Sequence, residues 1–309
     1  MHYRLSFVQP LQETVPAIAV HQLDSAIERL QSADRDQKAI HAARRHFKRT
    51  RALLDLVEPS ARGKIAATGQ KRLASAARML AASRDAQAAV SAAGELEKSF
   101  GDGRNGRAFS DLASFVKARL DRAEEKLQQT SVQTVLEKLK KTKAALSKLD
   151  LSGMTMTGLL DSASQTYRRG RHAMKDALES ECPEDLHRWR KLVQQHWRHM
   201  LLLKDSWPKE AGARIALARR LSGELGLHHD LAILRETISE NRIVFRRPSD
   251  VKLLIRCISK KQEELAGKAA SRGERLFAEK PKAFSRRLGV YWQSTERVHA
   301  PAEPAQPED

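Results

Sequence analysis

Apolar residues recur along this chain at intervals of three and four and almost nowhere in alternation, the pattern of amphipathic helices rather than strands. In residues 40–57, IHAARRHFKRTRALLDLV, a turn of about 100° per residue places Ile40, Ala43, Phe47, Leu54 and Val57 on one side. Ala, Leu, Arg, Lys, Glu and Gln are frequent, and β-branched runs are few. The periodicity predicts helices at about 11–32, 35–57, 62–82, 84–99, 108–128, 130–148, 155–180, 184–205, 209–226, 229–241 and 249–278. The fold class expected is all-α, with antiparallel helices and mostly short connections. Breaks fall at Pro59, GDGRNGR (101–107), LDLSGM (149–154), Pro183, Pro208 and RRPSD (246–250). Residues 281–309 read as a C-terminal extension, partly disordered, because the tail from Ala300 is rich in Pro and acids.

The polar side of residues 40–57 carries His41, Arg44, Arg45, Lys48 and Arg51, with Arg49 close by, and meets no acid until Asp55. A solvated face usually mixes signs, since like charges one turn apart weaken a helix by about 0.2–0.5 kcal/mol per pair. A face of one sign therefore points to negative charge supplied from outside the helix.

The same arrangement returns in LHRWRKLVQQHWRHMLLL (186–203). His41, Arg44 and Arg45 align with His187, Arg190 and Lys191 at an offset of 146 residues. Arg198 shares that basic side, and Trp189, Val193, Met200 and Leu203 lie opposite. Downstream, LAASRDAQAAV (80–90) aligns with LGLHHDLAILR (225–235) at an offset of 145, bringing Leu80 onto Leu225 and Asp85 onto Asp230. A duplicated stripe followed by a duplicated Leu and Asp divides the chain into two similar helical bundles, 1–148 and 149–280.

Composition narrows the class of partner. The chain has 56 Lys and Arg against 38 Asp and Glu, a formal charge of +18, which favours an anionic partner. Cys182 and Cys257 lie far apart without metal-ligand spacing, so a reducing cytoplasm is the default expectation. No long apolar export segment and no run of 18 uncharged apolar residues occurs, so the protein reads as soluble, unexported and without a transmembrane segment.

The paired motifs His41-x2-Arg44-Arg45 and His187-x2-Arg190-Lys191, the opening MHYRLSFVQPLQE, and the RD and HD steps at 84–85 and 229–230 together resemble the CHAD family, the conserved-histidine α-helical domain. The resemblance spans about residues 2–280. It implies two pseudo-symmetric bundles of about four main helices each, facing one another across a basic groove or pore that binds inorganic polyphosphate. Carried over, the motif histidines fall on His41 and His187, and the basic pairs on Arg44 with Arg45 and Arg190 with Lys191. The next basic turn falls on Lys48 and Arg49, but on Gln194 and Gln195 in the second half, which implies weaker phosphate binding at that end unless Arg198 compensates. No segment resembles the triphosphatase domain to which the family is sometimes fused. The expected location is cytoplasmic, with association to polyphosphate granules.

Polyphosphate suits such stripes on general grounds, because Arg forks can bind two phosphate oxygens each and rigid helices hold many cations at regular spacing. A phosphate-bound histidine, protonated in acid, would add a donor. Arg51 completes the first stripe. Lys71, Arg78, Arg168, Arg171, Lys175 and Arg220 are second-tier candidates on neighbouring helices. Asp85 and Asp230 read as orienting partners for a groove Arg or His, since a bare carboxylate would repel the ligand.

Other signals are set aside. Gly101, Gly103 and Gly106 spell G-x-G-x-x-G, but a dinucleotide fingerprint follows a strand and opens a helix in a βαβ unit. His196-x2-His199 and His228-His229-Asp230 lack the fuller ligand set of a zinc motif, so core or surface histidines are expected there. No nucleophile, Mg²⁺-binding carboxylate cluster or Walker loop is evident, so neither catalysis, nor a cofactor, nor a metal is expected. Two alternatives stay open: a sequence-nonspecific nucleic-acid binder, against which only 5% aromatic residues argue, and a scaffold docking on acidic proteins or granules.

Overall fold

One-sided helices can bury their apolar stripes only against one another, and this chain does so mostly between neighbours in sequence. The computed structural model describes residues 3–32, 37–101, 106–129, 132–180, 182–245 and 247–299. In them the chain forms α1 (Leu11–Gln31), α2 (Gln37–Val57), α3 (Ile65–Met79), α4 (Ala81–Phe100), α5 (Gly106–Gln129), α6 (Val132–Leu146), α7 (Met156–Ser180), α8 (Pro183–Leu202), α9 (Pro208–Glu240), α10 (Pro248–Leu276) and α11 (Pro281–His299). The fold is all-α, with no strand among the described residues. Four helices begin at proline, whose fixed φ suits the first turn and whose missing N–H is not needed there.

Helix α1 packs on α2 and α6, α3 on α2 and α6, α7 on α8 and α11, and α9 on α8 and α10. The first six helices meet the later ones where α2 packs on α7 and α8, where α4 packs on α9 and α10, and where α5 packs on α10. One apolar cluster joins Ile18, Leu23, Phe47 and Leu54 to Tyr167, Trp189 and Phe284. A second joins Leu96, Phe109 and Leu112 of α4 and α5 to Leu231, Leu254 and Ile258 of α9 and α10. Both clusters draw residues from before and after residue 149. At the buried crossing of α2 and α8, His199 Nε2 hydrogen-bonds the Ala52 carbonyl oxygen at 2.9 Å. His196 lies in the core against Tyr167 and Phe284, with ring centroids 5.4 and 5.6 Å away. Both histidines of the His196-x2-His199 pair are thus core residues.

Two expectations need correction. Residues 209–226 and 229–241 are not separate helices but one, α9, with Gly226 buried inside it. A glycine there costs about 1 kcal/mol relative to Ala, which packing against α8 on one stretch and α4 and α10 on the other offsets. The equivalent point in the first half does break, at Leu80 between α3 and α4. Residues 281–299 of the expected C-terminal extension form α11, which buries Phe284, Leu288 and Trp292 against α7 and the N-terminal segment. Their spacing of four is a helical signal, and Phe284 stacks on Tyr167 with centroids 4.3 Å apart. The tail from Ala300 lies outside the described residues.

The packing of the Trp189 ring and Met174 on α10 depends on a missing side chain. A Cβ on Gly273 would overlap the Trp189 ring and lie 2.9 Å from Met174 Sδ, whereas one on exposed Gly267 would meet nothing within 4 Å. Gly273→Ala is therefore expected to destabilise the fold by about 1–3 kcal/mol through overpacking. Gly267→Ala on the same helix is expected to stabilise it by about 0.5–1 kcal/mol. Denaturant midpoints for the two variants check both signs.

Candidate functional site: a cationic cleft between α2 and α8

Because α2 and α8 each turn Phe47, Trp189 and Val193 into the core, their basic faces are left to look at each other. Between them lies a cleft of about 480 Å³. Arg44, Lys48 and Arg51 line it from α2, and His187, Arg190, Lys191 and Arg198 from α8. Gln194 and Gln195 also line it, at the turn equivalent to Lys48 and Arg49. Two smaller clefts adjoin. One, of about 210 Å³, adds His41 and shares Arg44 and Arg84. The other, of about 360 Å³, adds Arg219 and shares Arg190 and Gln194. Asp230 borders both.

The remaining sequence candidates are placed elsewhere. Arg45 is exposed outside the central lining, and Arg49 turns to the N-terminal segment, its guanidinium carbon 5.4 Å from the Tyr3 ring centroid. Tyr3 Oη donates to the Arg49 carbonyl oxygen at 2.8 Å. None of Lys71, Arg78, Arg168, Arg171, Lys175 and Arg220 lines the central cleft. Arg168 borders another hollow, with Glu58, that shares Asp55 with the central cleft. These candidates lie on α3, α7 and α9, and of them Arg78 is close enough to the cleft residue Arg51 for their charges to act on one another.

Two cleft residues, Arg84 and His229, were not among the sequence candidates although the RD and HD steps contain them. They occupy equivalent positions in the two halves, 145 residues apart, so the repeat itself marked them. Arg84 Nη1 donates to Asp85 Oδ1 at 2.8 Å, and its Nη2 reaches Asp230 Oδ1 on α9 at 3.4 Å. His229 lies against His187, with ring centroids 4.3 Å apart. Gly226 gives Arg190 its place, since a Cβ there would sit 3.1 Å from a terminal guanidinium nitrogen.

The cleft holds more positive charge than its acids neutralise, and the titration of its groups reflects that. Removal from bulk water, then Arg198, Arg84, Arg190 and Arg44, pull Lys48 down to about 7. Lys48 keeps solvent-accessible surface within the cleft lining, and the guanidinium groups around it act in the same direction as its partial removal from water. His187 is lowered to about 4 by burial first and then by Lys191, His229, Arg190 and Arg84. Burial, with the neighbouring guanidinium groups, also lowers His41 and His229. Asp230 is raised, because burial outweighs the attraction of Arg84 and Arg190. Nε of Arg190, Nε of Arg198 and Nδ1 of His187 are buried without a hydrogen-bond partner.

Among the described residues no group of three or more His, Cys, Asp or Glu is placed to hold a metal ion. None of the helices there is long and apolar enough to cross a membrane. Gly101 caps helix α4 and Gly106 opens α5, while Gly103 lies outside the described residues, so the glycine pattern follows a helix and not a strand.

The structure resembles two solved structures. PptA from Streptomyces chartreusis matches with a TM-score of 0.65 and 15% identity, over 88% of this chain and all of that one. The CHAD domain from the plant Ricinus communis matches with a TM-score of 0.60 and 16% identity, over 92% of this chain and 94% of that one. No curated protein sequence matches the chain. At such identities the likeness speaks for the fold, whereas the CHAD domain family profile matches residues 17–239 of the sequence itself. With most of its length so matched, the chain belongs to the CHAD domain family.

Proposed function

We propose that this protein binds inorganic polyphosphate, without turning it over, in the cleft between α2 and α8. The observation that carries the reading is the convergence of Arg44, Lys48, Arg190, Lys191 and Arg198 from two similar helices on one cavity, none of them in an ion pair among the described residues. A linear polyanion with regularly spaced charge meets such a row of rigid cations without base-specific contacts. The nearby acids are engaged by cations, Asp55 by Arg169 at 3.5 Å and Asp230 by Arg84, and they form no cluster suited to Mg²⁺. Membership in the CHAD family, to which the sequence resemblance attached polyphosphate as ligand, supports the same reading.

The decisive experiment is competition between long-chain polyphosphate and duplex DNA at equal phosphate concentration. Polyphosphate is expected to displace DNA at much lower concentration, with affinity that falls steeply with salt and is indifferent to a chelator. Equal displacement by the two polymers would reduce the protein to a generic basic surface.

Charge reversal inside the cleft is expected to differ from charge reversal outside it. Arg44→Glu with Lys48→Glu should weaken long-chain binding by about 100-fold or more, as two charge-assisted contacts of about 1.5–3 kcal/mol each are lost. Lys71→Glu with Arg78→Glu changes net charge by the same amount on the exposed face of α3 and should cost far less. Binding isotherms, with circular dichroism as the check on folding, separate a located site from a diffuse field.

Binding should also weaken with rising pH. Lys48 sits near 7 in the empty cleft, and a bound polyanion would restore it toward the ordinary lysine range. Below about pH 7 it is charged both free and bound and contributes no pH dependence. Above that, binding requires uptake of a proton, and affinity falls by up to about tenfold per pH unit. Lys48→Arg should flatten the profile between pH 7 and 9 (about two units above the free value), measured by titration at constant ionic strength.

A further inference from the structure

Arg84 differs from the other cations lining the central cleft. Among the described residues none of those makes an ion pair, while Arg84 is held by two carboxylates. Those carboxylates are repeat equivalents, Asp85 from the first half and Asp230 from the second. The reason they converge lies one residue earlier in each. The first half places Arg84 beside its Asp, and the second places His229, whose imidazole burial and neighbouring guanidinium groups keep neutral. Asp230 therefore has no cation in its own turn and takes Arg84 from across the seam.

The two contacts are unequal. Asp85 bonds Arg84 at 2.8 Å, within the range of a charge-assisted hydrogen bond, and its side chain is half exposed. Asp230 reaches the same guanidinium only at 3.4 Å, and its side chain is 17% exposed, so it is both poorly bonded and poorly hydrated. Asp230 borders both smaller clefts, and Arg84 lines the central cleft and one of these. A polyanion running from His41 past Arg190 toward Arg219 must pass this pair.

We propose that Asp230 is an internal anion that occupies Arg84 while the cleft is empty, and that a bound polyphosphate chain displaces it to reach that guanidinium. The inference rests on the polyphosphate reading and gives Asp230 a role opposite to that of an orienting partner. An orienting carboxylate strengthens ligand binding, whereas a competing one weakens it. Phosphate oxygens could take the Arg84 fork in a bidentate geometry that the single long Asp230 contact does not achieve.

The test is the binding of long-chain inorganic polyphosphate to wild type, Asp230→Asn, Arg84→Ala and the double variant across a range of salt. Asp230→Asn is expected to bind about tenfold tighter, the fold-change corresponding to one charge-assisted contact freed. Its slope of log affinity against log salt should steepen by about one, because Arg84 then neutralises a ligand phosphate without giving up an internal carboxylate. In the Arg84→Ala background most of that gain should vanish. Asp230→Ser, read in the same way, serves if the Asn variant does not fold by circular dichroism. Wild-type binding combined with equal or weaker binding by the Asp230 variants overturns the internal anion alone. So does a gain that persists in full without Arg84, which would reduce Asp230 to a general repulsive charge. A wild-type protein that does not bind polyphosphate overturns the functional reading and this inference with it.

Discussion

Like charges facing one another across a narrow cleft repel, and everything else in this molecule has to hold them in place. Two unit charges about 4 Å apart at an effective dielectric constant near 20 repel by about 4 kcal/mol. At Lys48 burial is the larger influence, and Arg198, Arg84, Arg190 and Arg44 add to it in pulling the amine toward neutrality. The opposing force is apolar. Phe47, Trp189, Tyr167 and Phe284 are among the most deeply buried side chains, and each contributes roughly 1.5–3 kcal/mol on leaving water. Because α2 packs on both α7 and α8, the apolar contact that fixes the helices also fixes the spacing of their cationic faces.

On the proposed reading, that repulsion is what a bound polyanion relieves. The guanidinium groups of Arg190 and Arg198 line the cleft, and among the described residues neither is in an ion pair, so their charge is not neutralised locally. Stiff helices keep those donors from collapsing onto acids elsewhere, so little ordering remains to be done when a ligand binds. The imidazoles of His41, His187 and His229, each lowered below the usual histidine value, reduce the standing repulsion at neutral pH, and nearby negative charge would favour their uptake of a proton from solvent.

The duplication is imperfect at the positions that matter most. Lys48 and Arg49 of α2 correspond to Gln194 and Gln195 of α8, and Arg84 corresponds to His229, so the first half carries more of the charge. The backbone departs from symmetry as well, with a break at Leu80 where α9 runs unbroken through Leu225.

The all-α class, most helix positions and the two opposed stripes were legible in the chain, because the 3.6-residue period assigns each side chain to the core or away from it. The repeat also implied that two basic faces would be free at once. Which cations share the cleft was decided by packing. Arg45, Arg49, Lys71 and Arg168 have the same composition and periodicity as Arg44 and Arg190, and only the rotation of each helix against its neighbours turns them to solvent, to Tyr3 or to another hollow. Helix α11 was hidden by its nearness to a Pro-rich tail, and the unbroken α9 by a glycine whose local cost tertiary contacts offset. The Arg84–Asp230 contact spans 146 residues, so no local pattern contains it. Periodicity is a property of one helix, whereas an ion pair across the seam requires two helices to be placed, and that placement belongs to the whole core.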